Sequence, residues 1–351
     1  MANVNTVTTK KTIPKASAPV AKPATKHVSS KSNPSEFGII IIGAGGSGLA
    51  AGMYAARLGM TSLILGATQG YDLPVGGVIT TTHVVENYPG FTTLTGPELA
   101  KHIEDHTRTY KEVTIKEERV SSVSKSGKGF VVKTGKGEYN GKMILFATGT
   151  KWKKLPESVK GSKEFENKGV HYCALCDGPL YKNKIVSVIG GSDSAAKDAL
   201  LLAEHATKVY IIYRGEKIRP EPINLKRIEA NKKIEVINST NIIEVKGEKL
   251  VTGVVLDKVY KNSKEMKLDG IFVAIGHIIL SELAKPLGVK LNRKGEIMIN
   301  HMTSETSVPG VFAAGDVTDK AFKQLITGVA DGCTAAHSAY EYLGKSKIEV
   351  C

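Results

Sequence analysis

Phe37-Gly38-Ile39-Ile40-Ile41-Ile42 is a continuous apolar run, the pattern of a parallel strand buried on both faces, and Gly43-Ala44-Gly45-Gly46-Ser47-Gly48 follows it directly. Leu49 to Leu58 is rich in Ala and Leu and reads as a helix, with Gly59 suited to its C-terminus. Thr61 to Leu65 reads as the next strand. Together they make a β-α-β unit whose turn glycines serve the tight bend, the approach of a pyrophosphate and the helix–strand contact. The pattern returns further on. Ile185 to Ile189 is apolar, Gly190-Gly191-Ser192-Asp193-Ser194-Ala195 turns, a helical stretch runs to about His205, and Lys208 to Ile212 reads as a strand. A third signal, Val308-Pro309-Gly310-Val311-Phe312-Ala313-Ala314, ends at Gly315-Asp316 and precedes a helix expected from about Gln324 to Tyr342.

Both turns depart from the dinucleotide fingerprint. Gly66 stands where an acidic residue would hold a ribose hydroxyl, and Ser192 takes the place of the second glycine of the later turn. Beyond that unit, Arg214, Lys217 and Arg219 could grip a ribose 2′-phosphate, which favours NADP over NAD. The alternative for these three is a solvated basic loop.

Composition changes the picture at a few points. A chain of 351 residues exceeds one ordinary hydrophobic core, so two domains are expected. No apolar run is long enough to span a membrane. The N-terminal segment is rich in Ala, Thr, Ser and Pro, and carries six of the lysines behind the formal charge of +14 and no acid before Glu36. It reads as a disordered basic tail. The other lysines are scattered, so only net charge speaks for nucleic acid. Without a secretory apolar core, the expected compartment is the cytoplasm.

The candidate chemistry is Cys173-Ala174-Leu175-Cys176, 14 residues before Gly190. Such a pair can close a small disulfide ring and depress one thiol's pKa. It could also supply half of a zinc site, with His171 close by. Cys333 and Cys351 are isolated and no further ligand run accompanies them, so redox chemistry is the favoured reading and no metal is expected. Cys333 reads as a small apolar packing residue.

From residue 37 to about 345 the chain resembles the low-molecular-weight thioredoxin reductases, FAD-dependent pyridine nucleotide-disulfide oxidoreductases. The resemblance rests on the Gly43 turn, Thr80-Thr81-Thr82-His83-Val84-Val85-Glu86-Asn87-Tyr88-Pro89-Gly90, Ala147-Thr148-Gly149, Cys173 to Gly178, the Gly190 turn, Ala274-Ile275-Gly276-His277 and Gly315-Asp316, in that order. It implies an α/β protein with two Rossmann-like nucleotide-binding domains, the FAD domain split by an inserted pyridine-nucleotide domain. The implied divisions are a tail over 1–36, FAD-domain parts over 37–152 and 276–345, an NAD(P)H domain with the dithiol over 153–275, and a tail over 346–351. It also implies a homodimer that reduces thioredoxin or a glutaredoxin-like small dithiol protein, with FAD as cofactor and NADPH as donor.

By position, Gly43, Gly45 and Gly48 would face the FAD pyrophosphate, with Gly77, Asn87, Thr148 and Gly149 around the cofactor. Gly315 and Asp316 would meet its ribityl-phosphate region, and Lys323, Gln324 and Leu325 would lie beside the isoalloxazine. Val78 and a long loop over residues 67–75 depart from the family, as does Gly215 in place of an arginine. Gly190, Ser192, Asp193, Ser194, Ala195, Arg214 and Arg219 would receive NADPH. Cys176 would be the flavin-proximal sulfur and Cys173 the one that attacks the substrate disulfide. Asp177 would transfer protons, with a helix N-cap as its alternative role. His83, His171 and His277 read as structural. Because dithiol and nicotinamide must reach one flavin in turn, a domain rotation about linkers near residues 150 and 276 is expected. Two competing readings are the same enzyme fed by ferredoxin or a reduced deazaflavin, and a flavin-containing binding protein tethered to an anionic partner by its tail.

Overall fold

The computed structural model describes residues 36–66 and 73–348. The basic tail lies outside the described residues except for Glu36, which opens the first strand. So do most of the long loop and the chain end with Cys351, while residues 346–348 extend the last helix.

Strand β1 (Glu36–Ile42) leads into α1 (Gly46–Arg57) and β2 (Ser62–Leu65). After α2 (Gly96–Arg108) come β3 (Val113–Lys116) and a meander of β4 (Val120–Ser126), β5 (Gly129–Thr134) and β6 (Glu138–Phe146). The sheet runs β3-β2-β1-β6-β5-β4. The apolar run of β1 after Glu36 is explained by its two covered faces. Ile40 and Ile42 pack with Leu63, Ile144 and Phe146, while Ile39 and Ile41 pack with Ala51, Ala55 and Leu145. Helix α1 starts three residues before the sequence pattern suggests, because Gly48 lets its first turn lie against the backbone. A Cβ there would come within 1.9 Å of the Gly43 carbonyl oxygen.

The chain leaves this sheet through β7 (Thr150–Trp152) and builds a second one from β8 (Val170–His171), a single turn α3 (Ala174–Asp177), β9 (Ile185–Ile189), α4 (Asp193–His205), β10 (Lys208–Ile212), α5 (Pro222–Ala230) and β11 (Ile234–Ile237). An antiparallel sheet of β12 (Ile242–Gly247), β13 (Val251–Tyr260) and β14 (Ser263–Lys267) follows, and then β15 (Gly270–Val273). The second parallel sheet runs β11-β10-β9-β15-β8. Val186, Val188 and Ile211 pack under Ala195, Ala199 and Leu202 of α4, and the antiparallel sheet covers the other face through Val245, Val254 and Leu256.

The return crossing, β16 (His277–Ile279), pairs antiparallel with β7, so the two crossings form one ribbon. Finally β17 (Val311–Ala313) pairs parallel with the C-terminal half of β6, whose N-terminal half holds β5, and α6 (Leu325–Ile348) closes the first lobe. The architecture is α/β, with two Rossmann-like sheets and the first interrupted by the second.

Candidate active site

Both nucleotide turns sit at the carboxyl ends of parallel strands, where strand order reverses. They are built alike. At Gly43 a Cβ would lie 2.2 Å from the Ala147 carbonyl oxygen, just after β6; at Gly190 it would lie 2.3 Å from that of Ala274, just after β15. Each turn therefore presses against the neighbouring strand's exit, and its first N–H bonds the end of the strand on the other side, Gly43 to the Leu65 carbonyl at 2.9 Å and Gly190 to that of Ile212 at 3.1 Å.

The first turn fits a pyrophosphate. Helix α1 has no acidic residue in its first turn to compete for its N-terminal N–H groups, and a Cβ at Gly45 would stand 3.7 Å from the Gly76 carbonyl oxygen. Gly66 has a packing reason, since a Cβ there would stand 3.2 Å from that of Ala44. The Thr148 hydroxyl instead serves the ribbon, donating to the Leu280 carbonyl at 2.6 Å. Asn87 donates to the Gln324 side-chain oxygen at 3.2 Å, and Leu325 packs over Gly46. The Lys323 ammonium pairs with Glu296 at 2.7 Å and donates to the carbonyls of Asp316 and Thr318 at 2.8 Å, so its charge faces these groups. Burial pushes the Asp316 carboxyl above its ordinary range, with Lys323 opposing.

The second turn is partly covered. The Tyr213 ring lies on Gly191 and Gly215, where a Cβ would meet ring atoms at 2.5 and 2.6 Å, which explains why residue 215 carries no side chain. Arg219 donates its backbone N–H to the Gly191 carbonyl at 2.6 Å and its guanidinium to the Tyr213 hydroxyl at 3.3 Å. Ser192 caps α4 by position without a side-chain hydrogen bond. Asp193 accepts from the Glu221 N–H and Asn224 and pairs with Lys197. Burial opposes its ionisation, but these partners hold it below its usual value. Ser194 is exposed and Ala195 buried. Arg214 and Lys217 are exposed and form no ion pair among the described residues, so both remain available to a phosphate.

A cleft of about 1220 Å³ lies between the lobes and is lined by Ser192, Asp193 and Ser194 of the second turn. Asn87, Gln324 and Asp316 line it from the first lobe and Ser192, Asp193 and Asp198 from the second, with Cys173 between. Cys173 and Cys176 are joined as a disulfide, and the Cys176 N–H donates to Cys173 Sγ at 3.1 Å. Cys173 is half-buried. Cys176 is exposed and borders a smaller hollow of about 400 Å³ with Val75, Thr80 and Thr81.

The residue pattern matches the pyridine nucleotide-disulphide oxidoreductase model over residues 37–332. The chain belongs to this family, in its low-molecular-weight thioredoxin reductase branch. A thioredoxin reductase of Bacillus subtilis is 36% identical over 314 residues, 88% of this chain and 95% of the relative. The solved thioredoxin reductase of Lactococcus lactis in its FR conformation is 34% identical, with a TM-score of 0.82 over 88% of this chain and 99% of its own. That of T. acidophilum is 37% identical, with a TM-score of 0.81 over 88% of this chain and 98% of its own. The chain is thus an oxidoreductase of the thioredoxin-disulfide reductase class, and FAD and NADPH are the cofactors of this branch.

The sequence marks the dithiol pair and the two glycine-rich turns but not what surrounds Asp177. That carboxylate makes no N-cap hydrogen bond; Oδ2 lies 3.2 Å from His171 Nδ1. Nor does the sequence mark the contacts between the lobes. Arg227 grips Glu86 with two hydrogen bonds of 2.7 and 3.2 Å, and His83 stands 3.9 Å from Glu204. No helix among the described residues is long and apolar enough to cross a membrane.

Proposed function

We propose that the chain passes two electrons from NADPH through FAD and the Cys173/Cys176 pair to thioredoxin or a similar small dithiol protein, acting as a homodimer in the cytoplasm. The observation that carries this reading is the Cys173–Cys176 disulfide at the start of α3, beside a cleft lined by the Gly190 turn from one lobe and by Asn87, Asp316 and Gln324 from the other. Residues 37–152 and 276–345 would form the FAD domain and 153–275 the inserted one, the crossings being the β7–β16 ribbon.

Bound FAD supplies a carrier that takes a hydride on one side and gives two electrons to a disulfide. Gly43, Gly45 and Gly48 would hold its pyrophosphate against α1, with Gly77, Gly149, Gly315 and Asp316 along its length and Asn87, Gln324 and Leu325 at the ring. Arg214, Lys217 and Arg219 would hold the donor's 2′-phosphate beside the Gly190 turn. Once reduced, Cys173 attacks the partner's disulfide, forming a mixed disulfide that Cys176 resolves. Asp177 protonates the leaving sulfur. In the present arrangement Cys176 is the more exposed sulfur, so this assignment requires the lobes to turn between the two halves of the cycle.

The Tyr213 ring over Gly191 supports a second reading, in which a ferredoxin or reduced deazaflavin replaces NADPH. Anaerobic stopped-flow separates the two. Flavin bleaching by NADPH within the turnover time is expected; bleaching only by a low-potential donor would establish the second. A Cys176→Ser variant should accumulate a mixed disulfide with thioredoxin, and accumulation in Cys173→Ser instead would reverse the sulfur roles.

A further inference from the structure

The Asp177 carboxylate is held from behind. His171, two residues before Cys173 at the end of β8, is buried, with Nδ1 3.2 Å from Asp177 Oδ2 and Nε2 2.7 Å from the Tyr181 hydroxyl. Its ring stacks on Phe272 with centroids 5.4 Å apart and meets Tyr181 edge-on at 5.4 Å. Tyr181 in turn rests on Gly270, where a Cβ would come within 2.3 Å of its ring. The imidazole is therefore held on one face by Phe272 and at its Nε2 edge by Tyr181.

Burial pushes His171 below its ordinary value against the pull of Asp177, so the ring is neutral at neutral pH and has one N–H. A carboxylate only accepts hydrogen bonds, which assigns that hydrogen to Nδ1. Nε2 then accepts from Tyr181, whose hydroxyl stays protonated because burial pushes it up to about 12. The hydrogens run in one direction, from Tyr181 through His171 to Asp177.

We propose that His171 is a positioning residue for disulfide exchange: by donating to Oδ2 it turns the Asp177 carboxyl group so that Oδ1 carries the proton toward the dithiol. His171 has this task only if Asp177 transfers the proton as proposed above. In the exchange, Cys173 gives its thiol proton to Asp177 Oδ1 and, as the thiolate, forms a bond to one partner sulfur as the partner's S–S bond breaks. The departing sulfur keeps the electron pair and takes the proton from Asp177 Oδ1. Cys176 then gives its thiol proton to solvent and attacks Cys173, restoring the enzyme disulfide and releasing the second partner sulfur, which takes a proton back from solvent. Enzyme dithiol and partner disulfide thus become enzyme disulfide and partner dithiol. Throughout, Oδ2 still accepts from Nδ1–H, whether Asp177 is ionised or protonated.

The test is a double-mutant cycle on pre-reduced holoenzyme mixed with oxidised thioredoxin in a single turnover. Asp177→Asn should slow exchange about 100-fold, the scale of general acid catalysis, and His171→Phe, which keeps the stacked ring but removes the N–H, about tenfold. The double variant should be no slower than Asp177→Asn alone, because one residue acts only through the other. His171→Asn, whose amide restores a donor where Nδ1 stood, should recover to within about threefold of the parent. If Asp177→Asn leaves the rate unchanged, the proton-transfer reading itself falls. If it slows exchange but His171→Phe does not, or the two losses multiply, the positioning role is overturned. Should the Phe variant not accumulate as holoenzyme, Tyr181→Phe carries the same cycle. It must slow exchange in the parent background and not in the Asp177→Asn background.

Discussion

Asp198 shows how one side chain can set the stability of the cleft. It projects from α4 into the cavity, half-buried, with no hydrogen bond or ion pair among the described residues, and burial pushes its carboxyl up to about 7 from 3.8. Because the folded value lies above the unfolded one, the unfolded chain ionises first as pH rises. The fold is unpenalised below pH 3.8, loses stability between there and about 7, and carries the whole penalty above it. The penalty is at most about 4 kcal/mol, reduced by the water that reaches the cleft. Asp198→Asn should therefore raise the urea midpoint at pH 8 and leave it unchanged at pH 3; an equal gain at both would show that ionisation is not the cause. Nothing in the local sequence marks Asp198, since Ala-Lys-Asp-Ala on a helix is an ordinary solvated pattern. It lines a cleft whose walls come from both lobes, and the partner of Glu86 is Arg227 of the other lobe. His171 was legible as a residue near the sulfurs but not as a partner of Asp177, because that pairing depends on how β8 meets the turn of α3.

At the scale of elements, legibility followed periodicity. β1, β9, β10 and α4 keep unbroken apolar or helical patterns, and the structure has them where the sequence puts them. The meander is different: in β4 only Val120 and Val123 are buried, because a register shift between Val120 and Ser122 breaks the two-residue alternation. The junction of β1 and α1 carries the next prediction. Gly48→Ala places a methyl 1.9 Å from the Gly43 carbonyl oxygen, a contact that only displacement of the α1 N-terminus can relieve. The cost should be about 3 kcal/mol or more, as for other overpacked sites, and the displaced N–H groups should lose the pyrophosphate. Purified Gly48→Ala should lack flavin absorbance near 450 nm and bind added FAD at least about 100-fold more weakly, roughly 2.7 kcal/mol. Gly344→Ala is the matched control. It lies in α6 with open space around it, so a methyl there should stabilise by about 1 kcal/mol and leave the flavin in place.

At the scale of the molecule, the proposed function asks one cleft to serve two reactions. The dithiol turn and the Gly190 turn both belong to the second lobe, and on that reading each would reach one ring site beside Asn87 and Gln324, which line the cleft from the first. The lobes are joined by the β7–β16 ribbon of three residue pairs, and across the cleft by the exposed Arg227–Glu86 pair, with the His83 ring 3.9 Å from Glu204. Exposed ion pairs contribute roughly 1 kcal/mol or less, which shifts a two-state balance by no more than about fivefold. Such contacts bias the present arrangement without locking it. Glu86→Gln should accordingly change steady-state turnover by less than about fivefold and make it less dependent on salt. A covalent tie is different in kind. Cysteines at 86 and 227, joined by a short bismaleimide while Cys173 and Cys176 remain oxidised, should cut turnover by at least about 100-fold, as blocking an obligatory step requires. Only one half-reaction should survive: either flavin reduction by the donor or dithiol exchange with thioredoxin. Full turnover in the tied protein would mean that both reactions proceed in one arrangement, and the ribbon would then be a fixed strut rather than a hinge.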